Sequence, residues 1–413
     1  MRPNTKVTQI GLDCHRKFSI AVARNGDGRL MWRRRLNHGD RGILREELRE
    51  WPGGTPVILE GSFGWSWLSD ELAAAGLEPH LASSRKVAAW REARGLAKSN
   101  RTDGELLSEL WSQQPRWWEV WLPPQEVRAQ REWLRYRATL VRMQTSLKNR
   151  VHALLHRHGI VHELSDLFGR HGRQLLSCLA SAKVPERVGD GGEDAHLALA
   201  RQALREEWLP ESARATLHGY LQLLDEVRRQ VAQATRVFRR RVTREAVAER
   251  LRTLPGICYI LAYTLVAEIG RIERFRNARH LISYSLLAPR ADDSGEPETG
   301  PPIGRHVGWQ GRVTLKWAFI EAAHGAVRHG GRLRLIFDQR TAGGKHDRNR
   351  GYIAVARHLC QLTYVLWKKG EVYREDAPPR PGWRRRRRWS RPGTGQPDDA
   401  MVGAVNGPPQ ASL

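Results

Sequence analysis

Short apolar runs punctuated by glycine and proline open the chain, and further on a three- and four-residue apolar period replaces them. Val7, Ile10 and Leu12 read as one short buried strand that ends on Asp13. Phe18 to Ala23 supplies a second strand after the Cys14-His15-Arg16-Lys17 turn. Leu30 to Leu36 supplies a third after Asn25-Gly26-Asp27-Gly28, whose Asn-Gly and Asp-Gly pairs favour a tight hairpin. Asp40 to Glu50 reads as a helix with Ile43, Leu44 and Leu48 on its buried side, stopped by Trp51-Pro52-Gly53-Gly54. Pro56 to Glu60 is a fourth strand, again closing on a carboxylate; a helix from Trp65 to Ala75 and a strand near Glu78 to Ala82 follow. This order suits a ribonuclease-H-like α/β domain over 5–122, and equally an actin-like or kinase-like nucleotide domain.

From Pro123-Pro124 to about His158 the period becomes helical. Leu140, Leu147, Val151 and Leu154 form an apolar stripe, while Arg142, Lys148 and Arg150 keep the other faces basic. The expected partner is the run Tyr220, Leu224, Val227, Val231, Ala234 and Phe238, whose four-and-three spacing feeds a coiled-coil seam. Together they predict a helical, coiled-coil arm over 123–250, with the glycine-rich stretch at 188–193 as an excursion at its tip. The stripe serves either internal packing or assembly with another copy.

A mainly helical domain is expected over 251–375. Leu254-Pro255-Gly256-Ile257 before an apolar helix resembles the start of a helix-hairpin-helix, where free amides near Gly256 would grip a phosphate. Cys258 stands where such a motif often has its second glycine, and a Pro-Gly helix start is also common in ordinary domains. A polar loop from Pro289 through Ser294-Gly295 to Gly311 leads into a helix at about Val313 to Val327. The tail, 376–413, is rich in proline and glycine and is expected to be disordered. Its Arg384, Arg385 and Arg386, within a longer arginine run, would bind nucleic-acid backbone; a merely solvated tail is the alternative.

Charge changes the picture most. Across 413 residues, 69 Lys plus Arg against 44 Asp plus Glu leave a net of +25, spread well beyond the tail, which makes DNA or RNA the leading partner class. An acidic protein partner or charge for solubility alone would use the same excess. No apolar run approaches the ~18 residues of a membrane span, and the first residues lack the apolar segment of a secretory signal. Four scattered cysteines form neither a zinc spacing nor a disulfide framework, so reduced cytoplasm is the expected compartment.

Asp13 and Glu60, at the ends of what would be neighbouring strands, make a plausible divalent-metal site, although an aspartate at a strand end is often only a turn residue. Asn100 and Asp103, three apart, could reach the same ion from one helix face. Asn100 or Thr102 could instead be merely that helix's cap, with Glu105 as a capping-box partner. Ser294, beside a glycine and near Arg290, Arg305, His306 and Arg312 in sequence, could attack phosphorus, yet most Ser-Gly pairs are plain turns.

Taken together, these residues resemble the insertion-sequence transposases with a DEDD tetrad, the serine-assisted recombinases whose better understood members are guided by a bridge RNA. The resemblance spans about 7–375. It rests on Ile10-Gly11-Leu12-Asp13, Leu59-Glu60-Gly61 and Lys98-Ser99-Asn100-Arg101-Thr102-Asp103 in front, and on Thr145-Ser146-Leu147-Lys148-Asn149-Arg150 at the end of the first long helix. Behind, it rests on Leu254-Pro255-Gly256-Ile257, Pro289-Arg290, Ser294-Gly295 and Leu315-Lys316-Trp317-Ala318. It implies an RuvC-like N-terminal domain in which Asp13, Glu60 and Asp103 are three of the four acids and hold Mg²⁺. Asn100 stands where the third acid belongs, which removes a negative charge and a base. Ser294 matches the nucleophile that joins a DNA 5′ phosphate. The implied partners are double-stranded donor and target DNA, a noncoding guide RNA, and further copies in a homodimer that assembles into a tetramer. A metal-dependent nuclease without a serine adduct and an inactive binding homologue are the alternatives.

Overall fold

The computed structural model describes residues 6–97, 99–185, 194–290, 306–307, 312–344 and 347–375. They fall into two compact units divided after Glu126.

In the first unit, β1 (Val7–Cys14), β2 (Phe18–Asn25) and β3 (Leu30–Asn37) form an antiparallel meander. Helix α1 (Arg41–Arg49), capped by Asp40, then leads to β4 (Pro56–Glu60), α2 (Trp65–Ala74) and β5 (Glu78–Ala82). Helices α3 (Ser84–Ala93) and α4 (Asn100–Glu109) and a short β6 (Glu119–Val120) complete it. The sheet order is β3-β2-β1-β4-β5-β6, with β4 parallel to both β1 and β5 and the outer pairs antiparallel. This mixed α/β arrangement is compatible with an RuvC-like fold. Of the three residues expected on the buried side of α1, Leu44 and Leu48 are buried but Ile43 is 61% exposed. The sheet covers only the narrower stripe carrying residues four apart.

Alternation along β1 sends its residues to two different layers. Ile10 and Leu12 pack with Leu44, Leu48, Leu68 and Leu72 of α1 and α2. Gly11, between them, faces α4. A Cβ there would stand 2.2 Å from the Ser108 backbone nitrogen and 2.7 Å from the Gly104 carbonyl oxygen, so the helix lies directly on the strand. Ile58 and Ala82, with Val87 of α3 and Leu106 and Leu107 of α4, fill that second layer.

The second unit is mainly helical. Its first half has α5 (Gln125–Arg157), α6 (Arg170–Ser181), α7 (Ala195–Arg205) and α8 (Glu211–Val242). Then come α9 (Ala246–Leu251), α10 (Tyr259–Ile269), α11 (Ala278–Tyr284) and a two-residue hairpin of β7 (Pro289–Arg290) with β8 (His306–Val307). Helices α12 (Val313–His329), α13 (Gly331–Thr341) and α14 (Arg348–Lys369) close it. Val151, Leu154 and Leu155 of α5 share one core with Leu217, Leu221 and Leu224 of α8, and with α6 and α7. Further along the same two helices, the Tyr136 hydroxyl donates to Gln230 Oε1 at 3.0 Å and Arg137 Nε to Thr235 Oγ1 at 3.1 Å. Part of each apolar stripe is therefore used within the chain, while Trp133, Tyr136 and Met143 of α5 and Leu223 of α8 stay exposed. A separate core joins Phe238 of α8 to α10, α12 and α14. Among the described residues, no helix is long and apolar enough to cross a membrane.

Candidate active site

The sheet's parallel centre brings the first two acids together. Leu12 of β1 is in register with Leu59 of β4, so Asp13 and Glu60 follow at the same edge of the sheet. Asp103 arrives from the third element because α4 is pressed onto β1 at Gly11 and starts at that same edge. Asp13, Glu60 and Asp103 then line one cavity of about 700 Å³ with Cys14, His15, Arg16, Ser62, Phe63 and Ser99.

Local structure fixes each carboxylate differently. Asp13 is 7% and Asp103 8% exposed. Asp13 Oδ2 lies 3.0 Å from His15 Nε2 across the β1–β2 turn, and Asp103 Oδ1 lies 3.0 Å from Arg91 Nη1 of α3. Glu60, the last residue of β4, is less buried. Burial, the largest influence, raises the Asp13 carboxyl above its ordinary range; His15 opposes the shift, and the charges of Asp103 and Glu60 add to it. The Asp13 carboxylate thus senses the charges of the other two acids.

Helix α4 is capped by neither Asn100 nor Thr102. Ser99, extended at φ −154°, accepts from the Thr102 backbone N–H at 3.1 Å and touches the Thr102 hydroxyl at 2.7 Å. The cap thus lies one residue before Asn100, which takes the first helical position. The Asn100 side chain lies outside the described part of the structure.

These residues fit Mg²⁺ by donor chemistry: hard carboxylate oxygens from three elements, with Asp13 Oδ2 buried beside the His15 ring and making no well-aligned hydrogen bond. Among the described residues, no group of three His, Cys, Asp or Glu forms a ready-made cage. Mg²⁺ is commonly bound through one or two carboxylates together with water and substrate phosphate oxygens.

The basic residues singled out by sequence are spread over the second unit. Arg142 and Arg150 are exposed on α5, and Lys148 lies 5.0 Å over the Phe168 ring. Lys316 on α12 is half-buried, and burial lowers its pKa. Arg312, just before α12, donates to the Tyr284 hydroxyl at 3.0 Å and lies 3.6 Å from the buried Glu268. Gly256, at φ +81°, fits against α12, where a Cβ would stand 2.1 Å from the Ala322 carbonyl oxygen. Arg290 is in β7, its side chain outside the described part; Ser294, Arg305, Arg384, Arg385 and Arg386 lie outside the described residues altogether.

His15, Arg16 and Arg91 are the site residues that sequence reading did not select. His15 and Arg16 had a usable signal, since a turn directly after a strand-end acid must border whatever that acid binds. Arg91 had none: it precedes Asp103 by twelve positions, and only the packing of α3 against α4 joins them.

A six-stranded mixed sheet that brings acids from β1, β4 and α4 to one cavity is compatible with the class of RuvC-like domains. Two family models match within this chain: one described as transposase over residues 10–160, and one described as transposase of the IS116/IS110/IS902 family over residues 248–337. The chain belongs to this family of insertion-sequence transposases. It is similar to the transposase for insertion sequence element IS1111A of Coxiella burnetii, 27% identical over 131 residues, covering 30% of this chain and 34% of that protein. It is also similar to the transposase for insertion sequence element IS1328 of Yersinia enterocolitica, 24% identical over 378 residues, covering 89% of this chain and 98% of that one.

Proposed function

We propose that this chain is a DNA transposase and recombinase of an insertion sequence, which cleaves and rejoins donor and target DNA with a serine nucleophile. The observation that carries the reading is the convergence of Asp13, Glu60 and Asp103 on one cavity, within a chain of net charge +25. Asp13, Glu60 and Asp103, with Asn100 as a neutral helper, would hold Mg²⁺. When bound, Mg²⁺ offsets charge growing on the phosphoryl oxygens.

Asp13 and Asp103 keep their orientation through His15 and Arg91, so the carboxylates meet the substrate already positioned. Ser294 Oγ forms a bond to phosphorus as the bond to the 3′ oxygen breaks. The serine proton passes to that leaving oxygen, giving a 5′-phosphoserine link and a free 3′ hydroxyl. Arg142, Lys148 and Arg150 of α5, with Gly256, Arg290, Arg305, Arg312, Lys316 and the arginines at 384–386, contact nucleic-acid backbone. A noncoding RNA selects the sites by base pairing. The exposed Trp133, Tyr136 and Met143 support a role for the long helices in joining copies into a homodimer and a tetramer.

The deciding experiment supplies the full chain with donor and target DNA, the element's noncoding RNA and Mg²⁺. The covalent adduct is then trapped and nuclease-trimmed, and its mass measured. A Ser294-linked 5′ phosphate is expected. Cleavage with no adduct would move the chemistry to metal-dependent hydrolysis, and absence of any cleaved or rejoined product would sink the enzymatic reading.

A further inference from the structure

The Asp103 carboxylate does not face the cavity with its full charge. Arg91 Nη1 lies 3.0 Å from its Oδ1, and the two side chains are only 15% and 12% exposed, so water screens the pair weakly. One helical turn on, Arg94 Nη1 meets Glu109 Oε2 at 2.6 Å, with exposures of 42% and 31%. Both pairs lash α3 to α4, but only the buried one neutralises a residue of the acid cavity. Arg16 lines the same cavity, and His15 stands against Asp13.

We propose that Arg91 is the built-in counter-cation of this site: by neutralising Asp103, it leaves charge for one divalent ion rather than two before DNA arrives. This rests on the reading that the three acids hold Mg²⁺. Three carboxylates face two guanidiniums and an imidazole, and a single divalent ion already overbalances the acid excess. A second ion in a half-closed cavity would meet net repulsion, because displaced hydration is not repaid by further anionic ligands. Entry of a second ion then requires the negative oxygens of a bound phosphodiester.

The test is Mn²⁺ titration of the full, DNA-free chain, followed by calorimetry and by the spin-resonance signal of free Mn²⁺. Wild type is expected to bind one ion per chain. Arg91→Gln is expected to bind the first ion about tenfold more tightly, as removal of one adjacent unit charge implies, and, because that ion then only neutralises the site instead of overbalancing it, to take up a second ion weakly where wild type takes none. Arg91→Lys, which keeps the charge, is expected to stay at one ion with nearly unchanged affinity. Arg94→Gln removes the neighbouring lash at the residue just past the end of α3 and reports any purely structural effect. Equal responses of Arg91→Gln and Arg94→Gln, two ions in wild type, or equal responses of Arg91→Gln and Arg91→Lys would each overturn the proposal. Asp13→Asn separates the two levels. If it leaves Mn²⁺ binding unchanged, the acid site itself is wrong; if it abolishes binding while Arg91→Gln binds as wild type, only the role of Arg91 fails.

Discussion

Gly11 of β1 and Ser108 of α4 approach so closely that a Cβ on the glycine would lie 2.2 Å from the serine's backbone nitrogen. The same contact fixes how far Asp103 reaches toward Asp13, because both acids sit toward one end of the two packed elements. The atom a side chain would strike is backbone, so no rotamer change relieves it. Gly11→Ala is expected to destabilise the first unit by about 3 kcal/mol, at the upper end for overpacking. Denaturant unfolding checks the cost. Among molecules still folded, Mg²⁺ affinity should fall with it, since α4 must lift from the strand.

Period and turn chemistry made most of the first unit legible. The β2–β3 hairpin follows from Asn25-Gly26-Asp27-Gly28, and the β5 range coincides with the strand read at Glu78 to Ala82. Asp13 and Glu60 were visible because each ends an apolar run. The cap of α4 was misread since Ser99, Asn100 and Thr102 are all good capping residues, and only the backbone reveals that Ser99 is extended. Ile43 was misplaced because an isolated apolar period does not say how wide the covering surface is. Gly256 was read for its amides, while its tight packing on α12 depends on a helix some sixty positions later. Arg91 was invisible for the same reason: its partner is set by packing, not by spacing.

Asp13 is held at a cost to folding. Its carboxyl pKa is raised in the folded chain, mainly by burial. A carboxyl whose folded pKa lies above its unfolded value favours the fold most where it is protonated. That contribution is present below the ordinary carboxylate pKa and is lost as pH rises through the raised one. At neutral pH, Asp13→Asn is therefore expected to stabilise the first unit by about 0.5–2 kcal/mol, the usual size when a functional residue is relaxed. DNA cleavage should disappear at the same time. Thermal unfolding at pH 7 and in the acid window reads the sign: the gain should shrink on acidification. An unchanged or lower neutral-pH stability would mean that loss of the His15 contact outweighs the relief.

The proposed dependence on a guide RNA rests on the family resemblance more than on charge, since basic helices hold duplex DNA or structured RNA through the same phosphate contacts. RNA copurifying with the full chain should be enriched in sequence from the flanks of its own gene. Arg142→Ala with Arg150→Ala, both exposed on α5, should weaken nucleic-acid binding across sequences and reduce its salt slope by about 2, one per phosphate contact. Random cellular fragments in the copurified pool would count against a dedicated guide.

Asn100→Asp tests whether the position read as the missing acid belongs to the site. Asn100 is the first residue of α4, and the capping role is already filled by Ser99, so an aspartate here need not disturb the helix start. A negative charge at a helix N-terminus is mildly favourable, by about 0.3–1 kcal/mol, which makes a small stability gain the expected background whether or not the side chain meets an ion. The discriminating readout is the metal dependence of cleavage. If Asn100 contributes a neutral oxygen to Mg²⁺, converting it to a carboxylate should lower the Mg²⁺ concentration for half-maximal cleavage by about tenfold, as one added charge at short range implies. Repeating the titration in the Arg91→Gln background separates the charges further. Two changes that each make the cavity more negative should tighten binding together, less than additively if both act on the same ion. A stability gain with an unchanged Mg²⁺ midpoint would place Asn100 outside the site and leave Asp13, Glu60 and Asp103 as its whole acidic complement.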